Sequence, residues 1–202
     1  MKMILAAVEP SLAEAWRDAF AGVPAVTVVD GSILEQEVDA VVSPANSFGY
    51  MDGGVDLEYS VRFGWGVQGR LQERIARRHH GELPVGCADI LETFREHPAY
   101  LVAAPTMRVP MRLDASVNAY LATRAALLLV LHGVFPDGDF AGRPVRERVA
   151  SIAFPGMGTG VGAISHDRCA RQMRAAWDAC VAGADFPPSI YDATDDHEAL
   201  LR

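Results

Sequence analysis

Asp56 stands two residues beyond a Gly53-Gly54 pair and ten beyond Asn46, in the run VDAVVSPANSFGYMDGGVDLEYSVRFG from Val38 to Gly64. A short apolar strand leads into Asn46, whose amide both donates and accepts hydrogen bonds. Gly53 and Gly54 let the backbone approach a ligand closely. Asp56 falls at the start of a helix. Bare backbone N–H groups at a helix N-terminus favour phosphate. A carboxylate beside phosphate is repelled by it, so its uses are to hold a sugar hydroxyl or to activate a water. Together these residues read as a site for a phosphorylated sugar nucleotide. Taken alone, Asp56 equally suits a plain helix cap.

A second segment has the same character. Gly156, Met157, Gly158, Thr159, Gly160, Val161 and Gly162 follow a strand ending at Phe154 and precede a helix capped by Ser165. Strand, glycine-rich loop and helix form a phosphate cradle. No Lys follows the glycines, so this is not a Walker A loop. Read alone, the loop also suits a mobile linker. Two such loops at the carboxyl ends of strands in one α/β domain make a stronger signal, because open α/β sheets bind ligands there.

The elements that must position these loops are legible as alternating patterns. Strands are expected over Met1–Val8, Val26–Val29, Val38–Val42, Cys87–Thr93, Tyr100–Ala104 and Val149–Phe154, the second and third as buried strands. Helices are expected from Ser11 as cap to Phe20, over Asp56–Phe63 and Gly66–His80, from Asp114 or Ser116 to just before Gly133, and after Ser165. The alternation implies an α/β fold, a three-layer α/β/α sandwich. The 202 residues, half of them hydrophobic, read as one domain over 1–183 with an acidic, peripheral tail over 184–202.

Composition narrows the partners. The net charge of −8 disfavours nucleic acid, whose affinity comes mostly from Lys and Arg. The apolar run Val117–Leu131 is broken by Asn118, Thr123 and Arg124 and falls short of a membrane span. The N-terminal apolar stretch is too short for a signal peptide. Three cysteines, Cys87, Cys169 and Cys180, suit a reducing cytoplasm. His166 and Cys169 have a spacing zinc could use, but no second pair accompanies them and Cys169 fits an apolar stripe. His79-His80 reads as a solvated helix end. Arg70, Arg74, Arg77 and Arg78 read as an ordinary charged surface.

The two loops resemble those of the macro domain, the ADP-ribose-binding module. The family pattern is a strand ending in Asn-x-Ala-Asn-Ser, four residues, a glycine run, then Val-Asp opening a helix. SPANSFGYMDGGVD keeps Asn46, Gly53, Gly54, Val55 and Asp56 at that spacing, and AFPGMGTGVG stands for the second loop. The likeness spans about residues 25–180, within the boundary error of such readings. It implies a mixed sheet between helices, with ADP-ribose across its crest. The diphosphate would lie on Gly53-Gly54 and on the loop Gly158–Gly162. Asn46 would orient the distal ribose, and Asp56 would match the aspartate that positions or activates a water in hydrolytic members. Mono-ADP-ribosylated proteins are the implied partners, with O-acetyl-ADP-ribose as a related small substrate. No metal and no cofactor is implied. A non-catalytic ADP-ribose reader is the alternative, and an RNA- or poly(A)-binding protein a weaker one.

The sequence departs from the pattern at two places. Ser43 replaces the first Asn of the pair. Ser32, in Gly31-Ser32-Ile33, stands where the family has the Asp that recognises adenine, with Asp30 as a candidate substitute. Phe48 and Tyr50 place aromatics where they would cover the distal ribose. The segment Pro105–Pro110 is expected to line the pocket, with Arg108 facing either phosphate or solvent.

Overall fold

A computed structural model of the protein describes residues 1–183 and 185–202. Six strands build one sheet: β1 (Lys2–Ala7), β2 (Val26–Asp30), β3 (Ala40–Ser43), β4 (Asp89–Glu92), β5 (Tyr100–Ala103) and β6 (Ser151–Phe154). Their spatial order is β2-β1-β6-β3-β5-β4. Five run parallel, and β4 pairs antiparallel with β5 at one edge. The sheet is therefore mixed, as expected.

Strand residues alternate between two cores, because successive Cβ atoms point to opposite faces. Met3, Leu5 and Ala7 of β1 enter one core with Val42, Val102, Ile152 and Phe154. Ile4 and Ala6 enter the other with Val41, Leu101 and Ala153. The first core is closed by α1 (Pro10–Ala19), α4 (Asn118–His132) and α5 (His166–Trp177). The second is closed by α2 (Gly54–Phe63) and α3 (Gly66–Arg78) through Tyr59, Phe63, Val67, Leu71 and Ile75. This is the three-layer sandwich. Strands buried on both faces carry near-continuous apolar runs, which is why KMILAA and YLVA were readable.

Three local readings are corrected. β2 is an edge strand, and each of its side chains keeps some exposure, so it is not a buried strand. α1 starts at Pro10 with Glu9 as its N-cap residue, not at a Ser11 cap, because proline fixes the φ of a first helical turn. The tail is helical: α6 (Ile190–Leu201) is capped by Ser189, whose Oγ accepts from the Asp192 N–H at 3.3 Å. The boundary expected at Ala184 lies outside the described residues. Among the described residues no helix is long and apolar enough to cross a membrane.

α6 has no buried residue. It touches α5 through the Gln172 side chain, which donates to Leu200 O at 3.0 Å while also donating to Ser116 O at 2.8 Å. Removing residues 184–202 is therefore expected to cost about 1 kcal/mol, a Tm fall of roughly 2–4 °C at this chain length. Thermal unfolding of the truncated chain checks this, and a much larger fall would make α6 part of the core.

Candidate functional site

The crest of the sheet carries a groove of about 420 Å³. Residues that follow the carboxyl ends of β2, β1, β6, β3 and β5 all line it. Four strand spacings of roughly 4.8 Å make it about 19 Å long. It is therefore a trough and not a round pocket. Ser32 and Ile33 sit at the β2 end, Gly156 and Gly158–Gly162 at the middle, Asn46 at β3, and Thr106 and Met107 at β5. The β3 and β5 loops are tied together by the Ser47 N–H, which donates to Met107 O at 3.1 Å.

Two sets of free N–H groups line the trough. The first helical hydrogen bond of α2 runs from the Leu57 N–H to Gly53 O at 3.3 Å, so the N–H groups of Gly54, Val55 and Asp56 have no partner within the helix. Gly54 has φ +55°, a left-handed conformation that requires glycine there. The second set is Thr159, Gly160 and Val161, whose N–H groups donate to no protein acceptor among the described residues. Their loop is not a loose linker. The Ile164 N–H donates to Gly158 O at 3.2 Å and the Leu113 N–H to Gly162 O at 2.7 Å. A Cβ on Gly162 would lie 2.4 Å from Gly158 O, so the turn closes only with glycine. Both sets suit a diphosphate.

Asp56 occupies the third position of α2 and makes no capping bond; its environment lies behind it in the sheet. The Ser43 hydroxyl, at the end of β3, donates to Asp56 Oδ1. Both residues are buried, at 2% and 4% exposure. No Lys, Arg or His forms an ion pair with Asp56 among the described residues. Burial disfavours the charged form and raises its pKa from 3.8 to about 7, opposed in part by the Ser43 hydrogen bond. Beneath it, burial and then the neighbouring carboxylates hold the Tyr59 phenol well above its ordinary value, and its hydroxyl donates to Val42 O at 3.0 Å. The result is a carboxyl poised to exchange a proton near neutrality at the edge of a phosphate cradle.

Other expected residues fall differently. Ser32, Ile33, Asn46, Tyr50, Gly53, Gly54, Val55, Gly156 and Gly158–Gly162 line the trough with Asp56. Ser43 does not; it works from behind through Asp56. Met157 is fully buried in the core, where its carbonyl accepts from the Cys169 thiol at 3.5 Å. Phe48 lies outside the trough, with the Arg108 guanidinium 5.1 Å from its ring centre. Arg108 forks onto Glu82 at 2.8 and 3.1 Å, so it faces no phosphate. Asp30 pairs with Arg17 and does not line the trough. Asn46 spends most of its capacity on its own loop: Oδ1 accepts from the Phe48 and Tyr50 N–H groups at 3.1 and 3.3 Å, and Nδ2 donates to Tyr50 O at 2.9 Å. One amide N–H remains for a ligand.

Glu9, from the turn after β1, and Pro155 line the trough without having been read from the sequence. Their signal was topological, since β1 lies between β2 and β6. Among the described residues no group of three or more His, Cys, Asp or Glu could hold a metal. His166 binds Glu9 and Ser11 instead of pairing with the buried Cys169. His79 is no solvated helix end; its Nε2 meets Asp89 at 2.8 Å. Arg74, Arg77 and Arg78 are matched by Asp89, Asp137 and Glu73.

Comparison with known proteins agrees with this architecture. The sequence profile of the macro domain matches residues 42–173, about two thirds of the chain. The chain belongs to the macro domain family. The matched span is shorter than the 25–180 expected. An uncharacterised protein of Aquifex aeolicus is 32% identical over 73% of this macro domain and 78% of its own length. One from Aeropyrum pernix is 33% identical over 72% and 67%. Among solved structures, the macrodomain of Mycobacterium tuberculosis DarG superposes with TM-score 0.60 at 17% identity, covering 76% of this chain and 90% of its own. An Oceanobacillus iheyensis macrodomain mutant with ADPR superposes with TM-score 0.56 at 19% identity, covering 72% and 73%. At such identities the two structures are likenesses of fold.

The raised pKa of Asp56 has a thermodynamic consequence. Its folded pKa exceeds its unfolded value, so the native state binds the extra proton between pH 4 and 7 and stability falls as pH rises through that window. At pH 8 the buried charge costs on the order of 4 kcal/mol, at 1.36 kcal/mol per pKa unit. Asp56→Asn is therefore expected to raise Tm at pH 8 and to leave it nearly unchanged at pH 4, measured by thermal unfolding at both pH values.

Proposed function

We propose that this macro domain binds ADP-ribose in the crest trough and hydrolyses mono-ADP-ribose from acidic side chains of proteins. The observation that carries the reading is Asp56: a buried, uncompensated carboxyl at the edge of two sets of free N–H groups, hydrogen-bonded by Ser43. The diphosphate is held by Gly54, Val55 and Thr159–Val161 N–H groups. The distal ribose then lies at the β3 end, near Asp56 and the remaining Asn46 N–H.

In the reaction, a water oxygen bonds to the anomeric carbon of the distal ribose. The bond from that carbon to the ester oxygen breaks, and the acidic side chain leaves as a carboxylate. Asp56 takes the proton of the water. A base with a pKa near 7 suits this role, since its strength and its ionised fraction are both useful at neutral pH. General base action of this kind contributes about 10²–10⁴-fold. O-acetyl-ADP-ribose presents the same ester and is a second substrate. The sparse cysteines fit a cytoplasmic setting.

The near-complete burial of Asp56 favours a second reading, in which the trough binds ADP-ribose without turnover. One experiment separates the two. Wild type and Asp56→Ala are incubated with a protein mono-ADP-ribosylated on glutamate, and ADP-ribose release is followed beside calorimetric ADP-ribose binding. The expected outcome is release by wild type, with kcat rising through about pH 7, and a fall of roughly 10²-fold or more in the variant. Binding without release establishes the reader. Absence of both removes ADP-ribose as the ligand.

A further inference from the structure

The trough is unusual in its charges. Glu9, Asp52, Asp56 and Glu58 line it, and no Lys or Arg does among the described residues. An anionic ligand is thus held by backbone N–H groups alone, and each carboxylate must meet a neutral, donor-bearing part of it. Asp56 is accounted for by the distal ribose. Glu9 lies on the far side of the β6 loop, in the turn after β1, a strand two spacings or roughly 10 Å from β3.

Glu9 is held in place by a chain of side chains. Its Oε2 lies 3.0 Å from His166 Nε2, and His166 Nδ1 lies 3.0 Å from Ser11 Oγ. A carboxylate only accepts, so Nε2 carries a proton, and in the neutral imidazole Ser11 O–H donates to Nδ1. Ser11 and His166 do not line the trough, so the chain is not a nucleophile set. Glu9 Oε1 has no hydrogen-bond partner among the described residues. Val8, Leu12 and Ile33 supply apolar walls beside it. Ser32 Oγ already accepts from the Leu34 N–H at 3.2 Å, and as a neutral hydroxyl it is a weaker acceptor than a carboxylate.

An apolar-walled region with one charged acceptor suits a nucleobase that presents an amino group. With the diphosphate over the β6 loop and the distal ribose at β3, this region receives the base. We propose that Glu9, positioned by His166, is the base-selecting residue of the trough: its carboxylate accepts from an exocyclic amine and repels a carbonyl at the same place. The proposal rests on the reading of the trough as an ADP-ribose site and does not depend on hydrolysis.

The test is calorimetric binding of ADP-ribose and of its hypoxanthine counterpart, in which a carbonyl replaces the amine. Wild type is expected to prefer ADP-ribose by about tenfold or more, a modest ratio for a charge-assisted hydrogen bond because the Glu9 side chain is 66% exposed. Glu9→Gln, whose amide can donate or accept, is expected to bring the two within about threefold. His166→Ala is expected to shrink the ratio part-way, whereas a merely structural role would weaken both ligands equally. Equal affinities in wild type, or an unchanged ratio in Glu9→Gln, overturn the proposal while ADP-ribose binding stands. If neither nucleotide binds, the ADP-ribose reading falls and this one with it.

Discussion

A carboxyl group with no cation beside it is held inside this protein by one hydroxyl. Ser43 ends the buried strand β3, Asp56 opens α2, and the hydrogen bond between them joins the sheet to the helix at the point where the trough is deepest in charge. Burying an ionised carboxylate without a partner is costly, and proteins relieve that cost by keeping the proton. Here the relief is incomplete: the pKa settles near 7, where the proton is easily given and taken. In the proposed reaction, the environment that weakens the fold at high pH is the one that fits Asp56 to act as a base, a trade-off common at active sites.

The remaining groups of the trough follow from the same electrostatics. A phosphate-binding lysine near Asp56 would lower its pKa and neutralise it. In the proposed binding mode the trough instead meets phosphate with backbone N–H groups from α2, where Gly54 has a left-handed φ, and from the Thr159–Val161 turn, which is closed by Gly158 and Gly162. Those dipoles are fixed by the fold and need no side-chain ordering when a ligand arrives. In that mode the carboxylates are left for the parts of the ligand that offer donors, its sugars and base. The apolar strands beneath, each feeding two cores, keep the loop ends at strand spacing and so set the length of ligand the trough accepts.

What was legible in the sequence was local. The spacing of Asn46, Gly53, Gly54 and Asp56 lies within one loop, so the chain order already determines their neighbourhood. The near-continuous apolar runs MILAA and YLVA mark strands because both faces are buried. Glu9 escaped notice because its place depends on β1 lying between β2 and β6, a pairing of residues far apart in sequence. Phe48 and Met157 were read into the trough because a loop's residue types do not reveal which way each side chain turns. Asn46 was read as a ligand group, yet the tight Asx turn it makes with Phe48 and Tyr50 uses most of its hydrogen bonds. Ser43 departs from the family pattern, and its hydroxyl is the donor that moderates Asp56.

The proton on Asp56 decides most directly whether this physical picture is right. The ¹³C-carboxyl resonance of Asp56, assigned against Asp56→Asn, would be followed from pH 4 to pH 9 in the ligand-free protein. A midpoint near pH 7 is expected from burial opposed by the Ser43 hydroxyl. A midpoint near the ordinary carboxylate value of 3.8 would mean that the charge is well solvated or paired, and would contradict both the buried-base chemistry and its predicted cost to stability.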